Sequence, residues 1–373
     1  MMATPFPVAH RVAWLLAGVL VLAMVAVAAL QQRTAPRVSV PAEAGETSAA
    51  TRRVTGRLLG VNWVAADSAS SQDMEPLVRA HVTWIAQTPF GWQPDAAQPQ
   101  VRLHTGAGSR NYWGESDRGL IRTALLARQR GIRTMLKPHL WLRSGGTWPG
   151  DVSMRSEADW QQWFAAYTTF IVHYAALAET NGMEALCIGT ELEKTVSHEA
   201  EWRALIERVR QVYHGPLTYA ANWSGEFEQV KFWDALDYIG VQAYFPLSTT
   251  ERPTKAALLK AWRTPLARMA AVQKRYGKPV LFTEAGYKTT PDAAIQPWVW
   301  PDRNALPTTP DETTQRVCYE AMFETFWPQP WFRGIFIWKW YPGLQPNGPA
   351  HRHLDFTPQH KPAEQVMAQW YGK

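Results

Sequence analysis

The sequence predicts an α/β fold, a single (β/α)8 TIM barrel that occupies residues 56–373. Eight short apolar segments alternate with helix-like segments, which is typical of a parallel sheet buried on both faces. Glu191 and Glu284 each end one of these apolar segments, and their separation of 93 positions equals three units of about 31 residues, the repeat of such a barrel. The 373 residues are enough for one barrel of roughly 250 residues with loops and an N-terminal extension.

Each predicted strand is a run of aliphatic, aromatic and β-branched residues bounded by loop-like sequence. Glu191 ends the fourth strand and Glu284 ends the seventh. Because the carboxyl ends of all barrel strands share one rim, we expect both carboxylates at that rim. In chain order the predicted strands cover residues 58–64, 82–87, 133–139, 186–191, 217–223, 238–244, 280–284 and 334–340.

Helical patterns fill the intervals between these strands. Ser156 and Ser197 each precede an acidic residue and predict the starts of the helices after the third and fourth strands. Gly131 and Gly277 predict the ends of two further helices, since glycine is the residue that most often terminates a helix. The best-defined helical patterns cover residues 118–130, 255–276, 311–327 and 362–370, and no domain break is visible after residue 56.

Three long loops that follow predicted strands are rich in tryptophan. They cover residues 88–115, 141–155 and 287–310, and Trp298 lies in the last of them. Twenty tryptophans is a high number for a chain of this length, and a flat indole is a good platform for a sugar ring. Irregular loop packing is the alternative, but tryptophan in every long rim loop favours a sugar-binding groove.

The segment before the barrel predicts attachment to a membrane. Residues 12–30 are uncharged and apolar, and nineteen residues suffice to cross a bilayer as a helix. We predict a membrane-spanning signal anchor within residues 1–30, with a cleaved signal peptide as the alternative because Ala26-Val27-Ala28 offers small residues. Residues 31–55 are rich in Ala, Pro, Ser and Thr and predict a flexible linker. In both cases we expect the barrel outside the cytoplasm, anchored in the cytoplasmic membrane or secreted.

Composition and charge exclude several classes of ligand. The net charge is +6 at pH 7 without a basic stripe, so no nucleic-acid partner is predicted. The two cysteines, Cys187 and Cys318, fall in a predicted strand and a predicted helix, and we expect both to be buried core residues. The sequence contains no phosphate-binding loop and no metal-ligand spacing, so we expect no cofactor and no metal. We also expect a monomer.

The paired glutamates predict cleavage of a glycosidic bond. This reaction requires a carboxylic acid that protonates the leaving oxygen and a carboxylate that attacks, or directs water at, the anomeric carbon. Glu191 is the candidate acid/base and Glu284 the candidate nucleophile. A lone glutamate at a strand end is equally typical of a rim ion pair, and the matched placement of two favours catalysis. Glu193 shares the strand face of Glu191, but it lies in loop-like sequence and is the weaker candidate.

Other residues at strand ends are expected to contact the substrate. Tyr244 ends the sixth strand, where its hydroxyl can orient Glu284 and favour the ionised carboxylate. His139 can contact a sugar hydroxyl as a neutral imidazole, and Lys137 on the same strand is an alternative ion-pair partner. Trp338 is expected to form the floor of the sugar subsite at the cleavage point. The predicted substrate-binding residues are Asn62, Trp63, His139, Asn222, Tyr244, Trp298 and Trp338.

Six segments, taken in order, resemble glycoside hydrolase family 113, a branch of the clan of retaining β-glycosidases on (β/α)8 barrels. The resemblance implies a β-mannanase that retains configuration, needs no cofactor and uses Glu191 and Glu284 in the roles given above. In much of the clan the acid/base follows Asn, whereas here Thr190 precedes Glu191, as in family 113, so the contact to the sugar 2-hydroxyl must come from another residue. The matching segments are Gly60-Val61-Asn62-Trp63, Met135-Leu136-Lys137-Pro138-His139, Ile188-Gly189-Thr190-Glu191-Leu192, Val241-Gln242-Ala243-Tyr244-Phe245-Pro246, Phe282-Thr283-Glu284-Ala285-Gly286-Tyr287 and Phe336-Ile337-Trp338-Lys339-Trp340.

The leading prediction is therefore a retaining endo-β-1,4-mannanase that acts on a β-linked polysaccharide or oligosaccharide. An envelope glycan transglycosylase would use the same residues but pass the glycosyl group to a sugar instead of water. A non-catalytic glycan-binding barrel is the third hypothesis. The presence of both carboxylates and Tyr244 argues against it, because a binding protein has no need of them.

Overall fold

The computed structural model describes residues 55–103, 113–144, 148–301, 310–348 and 353–373. Ten β-strands lie in these residues, and five of them are buried along their whole length. The strands are β1 (Leu58–Trp63), β2 (Trp84–Gln87), β3 (Phe90–Gln93), β4 (Arg133–Leu136), β5 (His139–Leu142), β6 (Ala185–Thr190), β7 (Leu217–Asn222), β8 (Tyr238–Gln242), β9 (Val280–Ala285) and β10 (Phe332–Trp340).

Eight of the strands form a closed barrel in the order β1-β10-β9-β8-β7-β6-β4-β2, and every neighbouring pair is parallel. A helical segment follows each barrel strand, which confirms the predicted (β/α)8 barrel. The α-helices of the described residues are α1 (Glu75–Arg79), α2 (Asp117–Arg128), α3 (Glu157–Thr180), α4 (Glu199–Arg210), α5 (Glu226–Gln229), α6 (Lys255–Ala261), α7 (Arg263–Tyr276), α8 (Glu312–Phe326) and α9 (Pro362–Tyr371).

Two apolar cores stabilise the barrel. A small cluster fills the barrel interior and includes Cys187, whereas the larger one lies between the strands and the surrounding helices and includes Cys318. Both cysteines are free and fully buried, as predicted. The inner cluster consists of Leu58, Trp84, Ala86, Met135, Ala185, Cys187, Ala220, Tyr238, Leu281 and Phe336.

The prediction of the third strand, residues 133–139, is wrong at its C-terminal end. The barrel strand β4 stops at Leu136, and His139 begins β5, which pairs with β3 in a separate two-stranded parallel sheet. The physical cause is Pro138, which has no N–H to donate to the barrel ladder. The next amide, that of His139, donates instead to the carbonyl of Pro89 at 2.8 Å and starts the new pairing.

Two helix predictions also need correction. The helix predicted over residues 255–276 is divided into α6 and α7 at Trp262, because Pro265 in the first turn of α7 cannot donate a helical hydrogen bond. Helix α4 begins at Glu199 after His198, and the Ser197 hydroxyl donates to the carbonyl of Lys194 instead of capping the helix. Ser156 does cap α3, because its hydroxyl accepts the amide of Asp159.

The predicted membrane segment 12–30 and almost all of the predicted linker 31–55 lie outside the described residues. Within the described ranges, the structure contains no helix with the length and apolar character required to cross a bilayer.

Candidate active site

Glu284 lies near the end of β9 and is almost completely buried, with 4% of its surface exposed. Both of its carboxylate oxygens have a donor. Lys137 Nζ donates to Oε1 at 2.5 Å, and the Tyr244 hydroxyl donates to Oε2 at 2.8 Å. Lys137 follows β4 and is fully buried, whereas Tyr244 lies two residues beyond β8. Donors from two other strand ends therefore fix the orientation of this carboxylate.

The contacts of Glu284 favour its ionised form. Burial alone would raise the pKa of Glu284, but the adjacent Lys137 ammonium and the hydrogen bonds to the carboxylate outweigh it and hold the pKa below the ordinary value of 4.5. Burial and the charge of Glu284 raise the pKa of the Tyr244 phenol well above its ordinary range, so Tyr244 remains a hydrogen-bond donor. Glu284 is thus an oriented anion at neutral pH.

Glu191 is the first residue after β6, and its backbone turns the side chain away from the strand direction. Its φ is 52°, in the left-handed region that costs a residue with a Cβ atom of order 1–3 kcal/mol. The amide of Glu191 nevertheless donates to the carbonyl of Ala220 at 2.9 Å, so the turn is anchored to β7. Trp148 Nε1 donates to Oε2 at 3.1 Å and Asn222 Nδ2 donates to Oε1 at 2.8 Å.

The electrostatic environment of Glu191 is opposite to that of Glu284. Burial and the repulsion of the Glu284 charge raise the pKa of Glu191 to about 7, while the hydrogen bonds from Trp148 and Asn222 oppose this shift in part. No described cation forms an ion pair with the Glu191 carboxylate within 4 Å. The two carboxyls therefore differ in protonation at mildly acidic pH, where Glu191 carries a proton and Glu284 does not.

His139 and Trp338 complete the wall around Glu284. His139 Nε2 lies 3.7 Å from Glu284 Oε1, is buried and has no hydrogen-bond partner among the described residues. Burial and the charge of Lys137 lower the pKa of His139 to about 3, so its imidazole is neutral at neutral pH. The His139 ring is nearly parallel to the Trp338 indole at 6.5 Å between centroids, and Lys137 Nζ lies 5.6 Å from the same indole.

The other predicted substrate-binding residues are more dispersed. Asn62 is 1% exposed, and its amide donates to the carbonyls of Thr283 and Phe336, which joins three barrel strands. Trp63 is also buried and belongs to the core between strands and helices. Trp298 is 40% exposed and stacks on Trp223 with ring centroids 4.8 Å apart. The structure thus brings Asn222, Tyr244, His139 and Trp338 to the carboxylates. It buries Asn62 on the Thr283 carbonyl that also accepts Lys137 Nζ, and it places Trp63 in the outer core.

The profile of Glycoside Hydrolase Family 113 matches residues 60–361, which is most of the chain and contains every residue of the candidate active site. The chain belongs to glycoside hydrolase family 113. The sequence resemblance and the predicted enzyme class, a glycoside hydrolase, are thereby confirmed.

Solved structures of the same family resemble this family 113 enzyme along nearly their whole length. One is a GH113 β-1,4-mannanase, 27% identical, with a TM-score of 0.73 over 86% of this chain and 100% of that one. Another is the GH113 β-mannanase AaManA from Alicyclobacillus acidocaldarius in complex with ManMIm, 28% identical, with a TM-score of 0.73 over 85% and 98% of the two chains. A β-glucuronidase from Ruminococcus gnavus, 13% identical with a TM-score of 0.55, shares the fold alone. No curated protein matches the chain.

Sequence reasoning missed one residue next to the paired carboxyls of this family 113 enzyme. Glu226 in α5 is fully buried, and its Oε2 accepts the amide of Asn222, whose side chain donates to Glu191. Its sequence context, Ser224-Gly225-Glu226, is typical of a solvated loop and gives no signal of burial. Trp148 lies in the tryptophan-rich loop predicted over residues 141–155, and nothing in the sequence of that loop indicates that its indole reaches Glu191.

Proposed function

We propose that this family 113 enzyme is an endo-β-1,4-mannanase that cleaves its substrate with retention of configuration. The observation that carries the proposal is the opposite electrostatic setting of Glu191 and Glu284. A carboxyl kept protonated beside a carboxylate kept ionised is the arrangement required for acid-assisted nucleophilic displacement at an anomeric carbon. The β-1,4-mannanases among the similar structures support mannan as the substrate.

The first step of the proposed mechanism forms a glycosyl-enzyme. Glu284 attacks the anomeric carbon while Glu191 donates its proton to the glycosidic oxygen, and the bond to the leaving sugar breaks. The Lys137 and Tyr244 contacts keep Glu284 ionised and aimed before the substrate arrives. Tyr244 then stays within reach of the oxygen that becomes the ester.

The second step releases the sugar. Glu191, now ionised, accepts a proton from water as the water oxygen attacks the anomeric carbon, and Glu284 leaves as a carboxylate. The hydrogen bonds from Trp148 and Asn222 stabilise this ionised form of Glu191. Two inversions at one carbon give net retention.

The test is product release by the purified protein from β-mannan, glucomannan, β-glucan, xylan and chitin oligosaccharides. We expect cleavage of mannans, with Glu191→Gln and Glu284→Gln inactive. Glu193→Gln is the matched control, because it removes a carboxylate two residues from Glu191 and should retain activity. Cleavage of another glycan but not of mannan would overturn the substrate, and full activity of either catalytic variant would overturn the residue roles.

Two measurements test the retaining mechanism separately. The first-formed product should be the β-anomer by NMR, and a 2-fluoro mannoside with a good leaving group should label Glu284, which mass spectrometry of peptides can locate. An α-anomer as first product would contradict retention. Products longer than the substrate would instead reveal transfer to sugar, the activity of a transglycosylase.

A further inference from the structure

The small sheet outside the barrel has one aromatic face. Strands β3 and β5 pair in register, with Phe90 opposite His139 and Trp92 opposite Trp141. Because alternate residues of a strand point to the same face, these four rings lie on one side of the sheet. Ring centroids are 5.3 Å apart for Phe90 and His139, 6.0 Å for Phe90 and Trp141, and 6.5 Å for Trp92 and Trp141. The rings pack edge to face in one cluster, and the Arg143 guanidinium lies 4.9 Å from the Trp92 ring centroid, so the exposed Trp141 indole is the part of the face open to a sugar.

The opposite face of this sheet is packed against α3, which makes the aromatic face a rigid one. Leu140 and Leu142 are buried, and Gln93 Oε1 accepts Trp163 Nε1 at 3.0 Å. Gly91 lies so close to the ring of Phe170 that an added Cβ would come within 2.5 Å of it. The aromatic side chains are therefore held on a fixed support, and little conformational freedom remains to be lost when a ligand binds.

This aromatic face is continuous with the active site. Its inner end is His139, 3.7 Å from Glu284. Its outer end is Trp141, which is 53% exposed and lies two residues further along the same strand, about 6.6 Å away at the usual rise. That distance is on the scale of one sugar ring. A large exposed indole in line with a catalytic carboxylate indicates a binding surface.

We propose that the aromatic face of Phe90, Trp92, His139 and Trp141 is a glycan subsite directly beyond the one that holds the reacting sugar. It binds neutral sugar residues of a long β-linked chain whose reacting sugar lies at Glu284. The proposal rests on the proposed function and extends it, since it assigns the binding of the neighbouring sugar to β3 and β5.

The test measures binding to the inactive Glu284→Gln protein by calorimetry with mannotriose and mannohexaose. Adding Trp141→Ala should weaken the binding of both oligosaccharides by about 3- to 10-fold, the loss of one aromatic contact. Trp141→Phe should retain most of the hexaose affinity. Leu125→Ala, which removes an apolar side chain that is 42% exposed on the outer helix α2, is the matched control and should have no effect.

Equal hexaose affinities with and without Trp141 would overturn the proposed subsite. If mannans are not cleaved but another glycan of the panel is, the proposed mannanase activity alone is wrong. Oligosaccharides of that other glycan are then used to compare affinities with and without Trp141→Ala, and this comparison tests the subsite. If no glycan binds, both proposals fall.

A second, independent inference concerns the buried carboxyl of Glu226. Its Oε2 accepts the Asn222 amide at 2.6 Å, and its Oε1 accepts the Tyr219 hydroxyl. The Tyr219 oxygen in turn accepts the amide of Leu192 at 2.8 Å. Leu192 directly follows Glu191, and Asn222 donates to the Glu191 side chain. The Glu226 side chain thus connects the backbone at Leu192 with Asn222, the residue that orients the Glu191 carboxyl.

We infer that Glu226 is a positioning residue for the acid/base Glu191. A buried carboxyl is costly to retain, and these hydrogen bonds compensate for its desolvation. Burial raises the pKa of Glu226 to about 8, so at neutral pH it carries a proton, which lies between its Oε1 and the Tyr219 oxygen, and it adds no charge beside Glu191. Glutamine is the closest replacement for this neutral form and can keep the same hydrogen-bonding positions.

The test compares kcat/KM on a mannan oligosaccharide, whose leaving group needs a proton, with that on a dinitrophenyl β-mannoside, whose leaving group does not. Glu226→Ala should lose about tenfold or more on the oligosaccharide and less than about threefold on the activated substrate. Glu226→Gln should retain most of both activities. Glu228→Gln removes an exposed carboxylate of the same helix that pairs with Arg268, and should behave as wild type.

Equal losses on the two substrates in Glu226→Ala would show a merely structural role and overturn the inference. So would an alkaline limb of the pH profile that does not move in Glu226→Ala, because altered placement of Glu191 must change its pKa.

Discussion

Replacing Lys137 by Met should raise the pKa of Glu284 until the two active-site carboxyls, Glu284 and Glu191, have similar pKa values. Lys137 Nζ lies 2.5 Å from Glu284 Oε1, and both side chains are buried. Removing one member of a buried ion pair costs about 3–5 kcal/mol because the other charge stays desolvated. The lower end applies here, since Tyr244 keeps its hydrogen bond to Glu284. If Glu284 takes up a proton to avoid this cost, its pKa rises by about two units.

The measurement is kcat/KM as a function of pH for the wild type and Lys137→Met. In the wild type the acid limb reports Glu284, with a pKa below 4.5, and the alkaline limb reports Glu191, with a pKa of about 7. In the variant the acid limb should move up by about two pH units, with a loss of about 10- to 30-fold at pH 5. Lys194→Met removes the exposed pair with Asp151 and is the matched control, with no expected shift.

Stability supplies the second readout for Lys137→Met. In the wild type the depressed pKa of Glu284 contributes stability above the unfolded-state pKa, which is lost as pH falls through the folded-state pKa. In the variant the pKa of Glu284 lies above its unfolded-state value. The pH dependence of the unfolding free energy therefore has the opposite sign, and the folded state loses stability as pH rises. The difference in unfolding free energy between the two proteins should therefore grow from pH 4 to pH 8. An unmoved acid limb together with a pH-independent stability loss would refute the reasoning.

Three further perturbations test other contacts. Tyr244→Phe removes a hydrogen bond to ionised Glu284, so kcat/KM should fall by about 10- to 100-fold, and a change below about twofold would contradict the role of Tyr244. Trp148→Phe removes a hydrogen bond that favours ionised Glu191, so the alkaline limb should move above pH 7 and an unmoved limb would count against this contact. Gly240→Ala places a Cβ 2.1 Å from the carbonyl oxygen of Tyr219, and urea unfolding should show a loss of about 1–3 kcal/mol.

Much of the fold was predictable because its signals are local. Short apolar strands and amphipathic helices alternate along the chain, and parallel strands connected in this way close into a barrel. The same regularity placed Glu191 and Glu284 at strand ends. The prediction was wrong where one residue type changed the hydrogen bonding: Pro138 moved His139 from a barrel strand into β5, and Pro265 divided a helix.

The active site was predictable in outline and less so in its contacts. Strand ends indicate which residues share a rim but not which side of the strand each side chain takes. Asn62 and Trp63 end β1, yet Trp63 packs in the outer core while Asn62 is buried beside Lys137 on the Thr283 carbonyl. The fully buried Glu226 follows a serine and a glycine that resemble an exposed loop, so only its tertiary neighbours identify it.

The sequence by itself determined the barrel, the family and the two glutamates, because periodic patterns and short motifs are properties of neighbouring residues. Only the tertiary structure decided how the glutamates differ. The donors that surround Glu284 come from positions 40 and 147 residues away, and the donors to Glu191 come from positions 31 and 43 residues away. A pKa depends on burial and on charges within a few ångströms, and those distances exist only after the chain has folded.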